Sequence, residues 1–520
     1  MRSSVPVVAA AVAVAVLLAG CSEGGHERRR PVEGATKGAA GASLGDFNGD
    51  GYDDFATAIR PTSASRGPLP ARLAVVYGGA HGLDPRHRLV VNGAEDDYVG
   101  PLLRTDLDRD GFTDLVTARF RHGSSPRAER KGETVVLRGG PRGLTAPRPL
   151  GGGGAGFLAL AVGDFDGDGA ADLLTSAADG PSDSRGEGRS AVRVLYGPFG
   201  AKAHPARTAP LPTGPTDRPR RGAPATATAG DFNGDHRTDV VLTYRYGLGQ
   251  ADQPDPGDTA PLDTPVAHYR GGPKGLVRDK RPEARLAHAL GTEDGPREPA
   301  AGDADHDGVD DLLAPGQGTL GPGRHRGSGR LTVVHGAKSG LGRGRADLTV
   351  DQSGPGMPGD ARRGDGFGGS PAVGDITGDG RPDLVVATPE KNYGNGRLTL
   401  LPGSRHGRGG EYAPDQGDKG SHREHGQGHG RERGEVQSLD LDTPGVPGRH
   451  TQYGFDAFAP QPPLLDVDGD GHEDVVAAAP GYGRGRTGGF WILRGTDRGL
   501  STRNVRHFTP ADLGIRFRTG

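Results

Sequence analysis

The stretch DFNGDGYDD at residues 46–54 places side-chain oxygens at alternate positions of a glycine-containing turn. With its first aspartate as position 1, Asp46, Asn48, Asp50 and Asp54 occupy positions 1, 3, 5 and 9, and Gly51 at position 6 permits a sharp bend. Carboxylates crowded this closely repel one another unless a cation lies among them. Ca2+ takes roughly six to eight hard oxygens, and such a turn brings three alternating side chains to one point. The carbonyl of Tyr52 at position 7 would add a backbone ligand.

The string occurs seven times, about 60 to 90 residues apart, a period that marks a repeat architecture. Position 1 falls on Asp46, Asp106, Asp164, Asp231, Asp303, Asp375 and Asp466. Position 3 is Asn48, Asp108, Asp166, Asn233, Asp305, Thr377 and Asp468. Position 5 is Asp50, Asp110, Asp168, Asp235, Asp307, Asp379 and Asp470. Carbonyls at position 7 belong to Tyr52, Phe112, Ala170, Arg237, Val309, Arg381 and His472. Position 9 is Asp54, Asp114, Asp172, Asp239, Asp311, Asp383 and Asp474.

These thirty-five residues are the expected ligands of up to seven Ca2+ ions, one per repeat. The copies at Asp106, Asp164, Asp303 and Asp466 carry four carboxylates and are expected to bind best. His236 replaces the position-6 glycine, and Thr377 offers only a hydroxyl, so weaker binding is expected there. An EF-hand would need a bidentate glutamate at position 12, where the chain has Thr57, Thr117, Thr175, Leu242, Ala314, Val386 and Ala477. Mg2+ is less suited, because it keeps its waters. Acidic turns also form for conformation alone, but seven copies in phase with strands favour the metal reading.

Short apolar runs bounded by glycine surround each loop. "FATAI", "VVLTY" and "LVVATP" follow loops directly, "LAVVYGG" and "FWILRG" come some 20 residues later, and "RLVV" or "VRHFT" form a weaker third run. With runs such as "LALAVGD" just before the loop, each unit has four strands. Four short strands repeated seven times predict an all-β, seven-bladed β-propeller. "FGGSPAVGDITGDGRPDLVVATP" (367–389) and "LLDVDGDGHEDVVAAAPGYGRGRTGGFWILRG" (464–495) resemble the FG-GAP repeat, found in the propeller of integrin α-chains and in many bacterial secreted proteins. The resemblance covers roughly residues 40 to 515 and is weakest in the Phe-Gly element.

At the N-terminus, Arg2 precedes the apolar run "VPVVAAAVAVAVLLAG", too short for a span and ending in small residues, as in a secretory signal peptide. "LAGC" resembles the bacterial lipobox, which implies cleavage after residue 20, lipidation of Cys21 and attachment to the outer face of the cell membrane. Cys21 is the single cysteine, so no intrachain disulfide forms. Residues 21–40 read as a polar tether and 41–515 as the propeller.

Some signals carry little. "RGD" at Arg363–Asp365 is one chance triplet in an Arg-, Gly- and Asp-rich chain, "GASLG" (41–45) lacks the helix of a nucleophile elbow, and "GQGTLG" (316–321) lacks that of a dinucleotide site. The stretch around 403–436, with His422, His425 and His429, interrupts the sixth unit and reads as a solvated insertion.

A formal charge of −3 gives no reason to expect nucleic acid as a partner. Seven bound divalent ions would reverse that sign and favour anionic polymers or lipids. The expected function is a non-enzymatic binding or adhesion module for a surface protein, glycan or cell-wall polymer. The resemblance places its ligand face opposite the acidic loops, on segments such as 93–103, 244–258 and 453–463. The alternative is a polysaccharide lyase or hydrolase, which would show one blade broken by a clustered acid, base or nucleophile.

Overall fold

A computed structural model describes residues 45–516, apart from 61–69, 92, 94–95, 122–130, 153–155, 178–191, 201, 212–223, 245–265, 292–297, 317–326, 355, 404–434, 452–453 and 484–485. The signal sequence, Cys21, the tether and most of the histidine-rich insertion therefore lie outside the described residues.

The expected all-β propeller is what the chain builds. Seven antiparallel sheets follow one another in chain order. Blade 1 contributes three described strands, Phe55–Ile59, Arg72–Val76 and Arg88–Val90. Blade 2 has four, Asp96–Thr105, Asp114–Arg121, Lys131–Leu137 and Arg148–Pro149. Blades 3 to 6 repeat that up-and-down order from first strands beginning at Phe157, Pro224, Ala300 and Gly369. Blade 7 runs Leu464–Leu465, Asp474–Ala479, Gly489–Arg494 and Ser501–Phe508.

In blades 2 to 7 the acidic loop joins the first strand to the second, and in blade 1 it leads into Phe55–Ile59. Position 9 pairs across the hairpin with the residue before position 1, as in Thr105↔Asp114, Gly163↔Asp172 and Leu465↔Asp474. Because neighbouring strands are antiparallel, all seven loops share one end of the ring. The connections from second to third strands and between blades occupy the other.

A four-stranded blade has two faces and cannot bury either alone, so the core lies between blades. Seven apolar clusters fill the seven interfaces. Between blades 4 and 5 a short helix, α1 (Glu283–Leu290), adds Leu286, Ala289 and Leu290. The side chain at loop position 2 (Phe47, Leu107, Phe165, Phe232, Ala304, Ile376 or Val467) is buried in each copy.

Ring closure uses the same packing. Blade 7 completes its own four strands, as "VRHFT" suggested, and faces blade 1 through Phe490, Ile492 and Phe508 against Phe55, Ala74 and Val76. The rings of Phe55 and Phe490 meet edge-on at 5.4 Å. Across this seam the Asp53 N–H donates to the Asp466 carbonyl at 2.9 Å, and the Gly79 N–H to that of Val467 at 3.1 Å.

One expectation needs correction. Residues 96–103 are not a surface loop but part of the first strand of blade 2. The Gly100-Pro101 pair, which reads as a turn, is absorbed by a register shift between Val99 and Leu103. Tyr98 is buried between blades 1 and 2, and the buried Asp97 pairs with Arg60 at 2.8 Å. The triplet at Arg363–Asp365 is likewise unavailable to a receptor. Asp365 is 4% exposed and is held by the buried Lys391 ammonium at 2.6 Å.

Closure through apolar packing makes the seam a point of weakness. Phe490→Ala should cost about 3–5 kcal/mol of unfolding free energy, as expected for truncating a buried phenylalanine. Urea unfolding at fixed calcium measures it; a loss under about 1 kcal/mol would mean that the seam contributes little.

Candidate metal centre

Each loop is built on two residues in left-handed conformation. Position 6 has φ between 63° at His236 and 89° at Gly111. Position 4 has φ between 61° at Arg109 and 79° at Gly167, although only five of the seven copies carry glycine there. His236 therefore adopts the strained turn, and its N–H reaches Asp231 at 2.8 Å, as the position-6 glycines do in the other copies.

Backbone N–H groups organise three of the four acidic positions identically. The position-6 N–H donates to the position-1 carboxylate in all seven loops, at 2.8–3.1 Å. The position-7 N–H donates to the position-5 carboxylate at 2.7–3.1 Å. Oδ1 of the position-9 aspartate accepts from the glycine that ends the third strand, at 2.8–2.9 Å. Its Oδ2 accepts from the position-2 N–H in the loops of Asp54, Asp114, Asp172 and Asp311. Each loop is thus bolted to its own hairpin and to the third strand.

Position 3 behaves differently. In the four copies with aspartate there, one carboxylate oxygen meets an arginine from beyond the loop. Arg138 lies 3.0 Å from Asp108, Arg207 lies 3.1 Å from Asp166, Arg345 lies 2.8 Å from Asp305, and Arg494 pairs with Asp468. The other oxygen, Oδ1 of Asp108, Asp166, Asp305 and Asp468, is buried without a hydrogen-bond partner. A buried anionic oxygen left this way is costly unless something occupies the point it faces.

These four loops also bring three acids together. Asp106, Asp108 and Asp114; Asp164, Asp166 and Asp172; Asp303, Asp305 and Asp307; and Asp466, Asp468 and Asp470 each place ligand oxygens within 4.8 Å of one another. Among the described residues the loops of Asp46, Asp231 and Asp375 form no such three-acid group. In them position 3 is engaged within the loop. The Asn48 amide donates to Asp50 at 3.0 Å, that of Asn233 to Asp239 at 2.9 Å, and the Thr377 N–H to Asp383 at 2.8 Å. The donor set of the four-acid loops (hard oxygens, a vacant buried lone pair, a pinned opposite oxygen) fits a divalent cation such as Ca2+.

Neighbouring loops interlock. The missing side chain at Gly49, Gly234, Gly378 or Gly469 makes room for Phe112, Val309, His472 or Tyr52, the position-7 residue of the next blade. Where position 4 is Arg109, the next position 7 is the small Ala170, and Arg109 reaches the Asp168 carbonyl at 3.0 Å.

The arginines and His335 escaped the sequence reading. Arg138, His335 and Arg494 share one signal, a basic residue immediately before the glycine that ends the third strand. Arg207 and Arg345 leave none. His335 stands beside Asp305 and Asp311; burial alone would hold it neutral, but the two carboxylates push it up to about 9.

Burial raises the position-9 carboxyls far above the ordinary aspartate range. Asp114 and Asp383 rise to about 6, Asp54 and Asp239 to about 7, and Asp172 and Asp474 to about 8. At position 8, burial lifts Asp310 to about 7 and Glu473 to about 8, with nearby carboxylates adding to both.

Fold and loops together define a class, a seven-bladed β-propeller carrying FG-GAP repeats. The FG-GAP repeat model matches residues 157–195, 367–401 and 458–493, and the FG-GAP-like repeat model matches 106–175. These matches span the acidic loops of blades 2, 3, 6 and 7. The chain is also similar to phosphatidylinositol-glycan-specific phospholipase D of Rattus norvegicus, at 29% identity over 190 residues. That alignment covers 36% of this chain and 19% of the relative's length.

The raised carboxyls give the ion-free protein an inverted pH dependence. Between about pH 4 and pH 8 the folded state keeps protons that the unfolded chain has released, so stability falls as pH rises. Melting in chelator should be highest near the acid end of that window, and a divalent ion should flatten the trend. A chelated protein whose melting temperature climbs from pH 5 to pH 8 would refute this.

Proposed function

We propose that the protein is a lipid-anchored, calcium-loaded β-propeller on the outer face of the cell membrane, acting as a non-enzymatic binding or adhesion module. The observation that carries the calcium reading is the buried, unpartnered position-3 oxygen in the four loops with aspartate at that position. In those loops positions 1, 3, 5 and 9 would hold the ion, with position 7 contributing its carbonyl. Bound Ca2+ would neutralise the clustered charge and brace the hairpin. The loops at Asp46, Asp231 and Asp375 would bind more weakly, because position 3 offers an amide or a hydroxyl rather than a carboxylate.

A binding role fits how the acids are used. Those at positions 1, 5 and 9 accept backbone N–H groups in every blade, which suits scaffolding better than proton transfer. The name of the rat relative assigns that protein a glycan-lipid substrate. The alignment reaches only 19% of that protein's length, so we do not carry its activity over to this chain.

The ligand face we favour is the end opposite the acidic loops. There Tyr393 and Phe455 are 83% and 59% exposed, and they are joined by the Phe455 N–H donating to the Tyr393 carbonyl at 3.3 Å. Both have positive φ, as do Ala457 and Ala459, and Arg486 lies over the Phe455 ring. Strained backbone presenting exposed aromatics is a feature of ligand surfaces. Surface proteins, glycans and cell-wall polymers are the candidate partners; the lipid on Cys21 would supply the membrane contact.

Thermal unfolding of the mature chain from Ser22 tests the metal. Added Ca2+ should raise the melting temperature well above that in chelator, more than Mg2+ does, because an ion bound only by the folded state stabilises it. Asp468→Asn should remove about one ion from the calcium count and leave the fold intact. Equal melting with and without calcium would sink the proposal.

The anchor and face are tested on cells. Cys21→Ser should move the protein from the membrane fraction to the medium. The released protein should co-sediment with isolated wall polymer, and Tyr393→Ala combined with Phe455→Ala should abolish that without lowering the melting temperature. Retention of the serine variant on membranes would overturn the anchor, and unaltered sedimentation of the double variant would overturn the face.

A further inference from the structure

We propose that blade 5 contains a transition-metal site of the zinc class, formed by His335, Asp305 and Asp311. The His335 Nδ1 lies 3.1 Å from Oδ2 of Asp305 and 3.4 Å from Oδ1 of Asp311, and the three side chains are only 4%, 1% and 0% exposed. All three donor atoms fall within 4.8 Å of one another. His335 and Arg345 both pair with Oδ2 of Asp305, while Oδ1 of Asp305 is buried without a partner. Three donor side chains therefore converge on one point with a carboxylate oxygen left over.

The spacing suits a metal. Zinc bound at about 2.0–2.2 Å by nitrogen and oxygen in a tetrahedron sets its ligands about 3.3–3.5 Å apart. Ca2+ takes oxygen donors, whereas imidazole suits zinc and its neighbours in the first transition row. The orienting contacts are already built. The Gly336 and Ala304 N–H groups donate to Asp311 at 2.8 and 3.1 Å, and Arg345 lies 2.8 Å from Oδ2 of Asp305. Three protein ligands leave one coordination position for water or an exogenous group.

Comparison between blades isolates the cause. His335 occupies the register of Arg138 in blade 2 and Arg494 in blade 7, each immediately before the glycine that ends the third strand. A guanidinium there can act only as a cation, while an imidazole can give up its proton and donate a lone pair. Blade 5 thus differs from blades 2 and 7 in chemistry rather than in shape. Asp305 and Asp311 also belong to the proposed calcium set of their loop, so the two ions would exclude each other in blade 5. The site does not depend on calcium in the other six loops.

Ion counting after equilibrium dialysis of the metal-free mature chain against Zn2+ tests this, with Co2+ as a coloured substitute. His335→Arg, the residue found in blades 2 and 7, and His335→Gln should each lower the tightly held zinc by one ion per chain. They should also remove the intense visible bands that tetrahedral Co2+ gives. His422, His425 and His429 are present in every form, so zinc held there cancels in the comparison. Calcium counted in the absence of zinc should not fall in the glutamine variant. Identical zinc counts in the wild type and both variants would overturn the site, leaving His335 as a counter-cation only. Should both variants fail to fold, a wild-type Co2+ spectrum without tetrahedral bands would overturn it as well. Loss of zinc binding with no calcium binding anywhere would uphold blade 5 while defeating the calcium proposal.

Discussion

The buried aspartate at position 9 is the interaction on which the rest depends. Its Oδ1 accepts the N–H of the glycine that ends the third strand in all seven blades. In six blades it is also the first residue of the second strand, paired across the hairpin with the residue before the loop. One side chain thus fixes where the loop ends, where the second strand starts and how the third strand turns. A buried carboxylate is expensive, and the backbone donors offset that cost only in part, as the raised titration of these groups attests. The geometry that organises each blade is therefore also a reservoir of unfavourable charge.

That charge explains the arrangement of cations. Position-3 aspartates occur in four loops, and in each an arginine holds one oxygen from outside. These guanidiniums lower the repulsion the loops would otherwise feel, which helps a chain without intrachain disulfides to close its ring. They leave the second oxygen free. A cation fixed at one oxygen also weakens the pull of the loop on a second cation. The four-acid loops are accordingly less extreme than a count of their carboxylates suggests.

Much of this was legible in the residues. Alternating oxygens at positions 1, 3, 5 and 9 marked the loops, glycine-bounded apolar runs marked the strands, and seven copies marked the ring. Local rules govern these features, and repetition made them unmistakable. What escaped depended on contacts between residues far apart in the sequence. Nothing near Arg207 or Arg345 announces that its guanidinium will meet an aspartate some 40 residues away. The compensation between Arg109 and Ala170, in consecutive acidic loops some 60 residues apart, is invisible until the loops lie side by side. Residues 96–103 misled for the opposite reason. Gly100-Pro101 is a strong local turn signal, and the ring overrides it by a shift in strand register.

The division of the propeller into two ends follows from the same physics. At one end every acidic loop is a short, charged turn held by backbone hydrogen bonds to its carboxylates, and neighbouring loops interlock through position 4 and position 7. Little sequence variation is tolerated there, because a side chain added at Gly49 or Gly378 would strike the next blade. At the other end the described connections share no repeated pattern of such bonds, and the connections differ in length from blade to blade. Freed from the repeat, they are where Tyr393 and Phe455 stand exposed on strained backbone. A ring so tightly specified at its acidic end can hold irregular, solvent-facing segments at the other without losing its fold. That asymmetry is why a ligand is better sought opposite the acidic loops than among them.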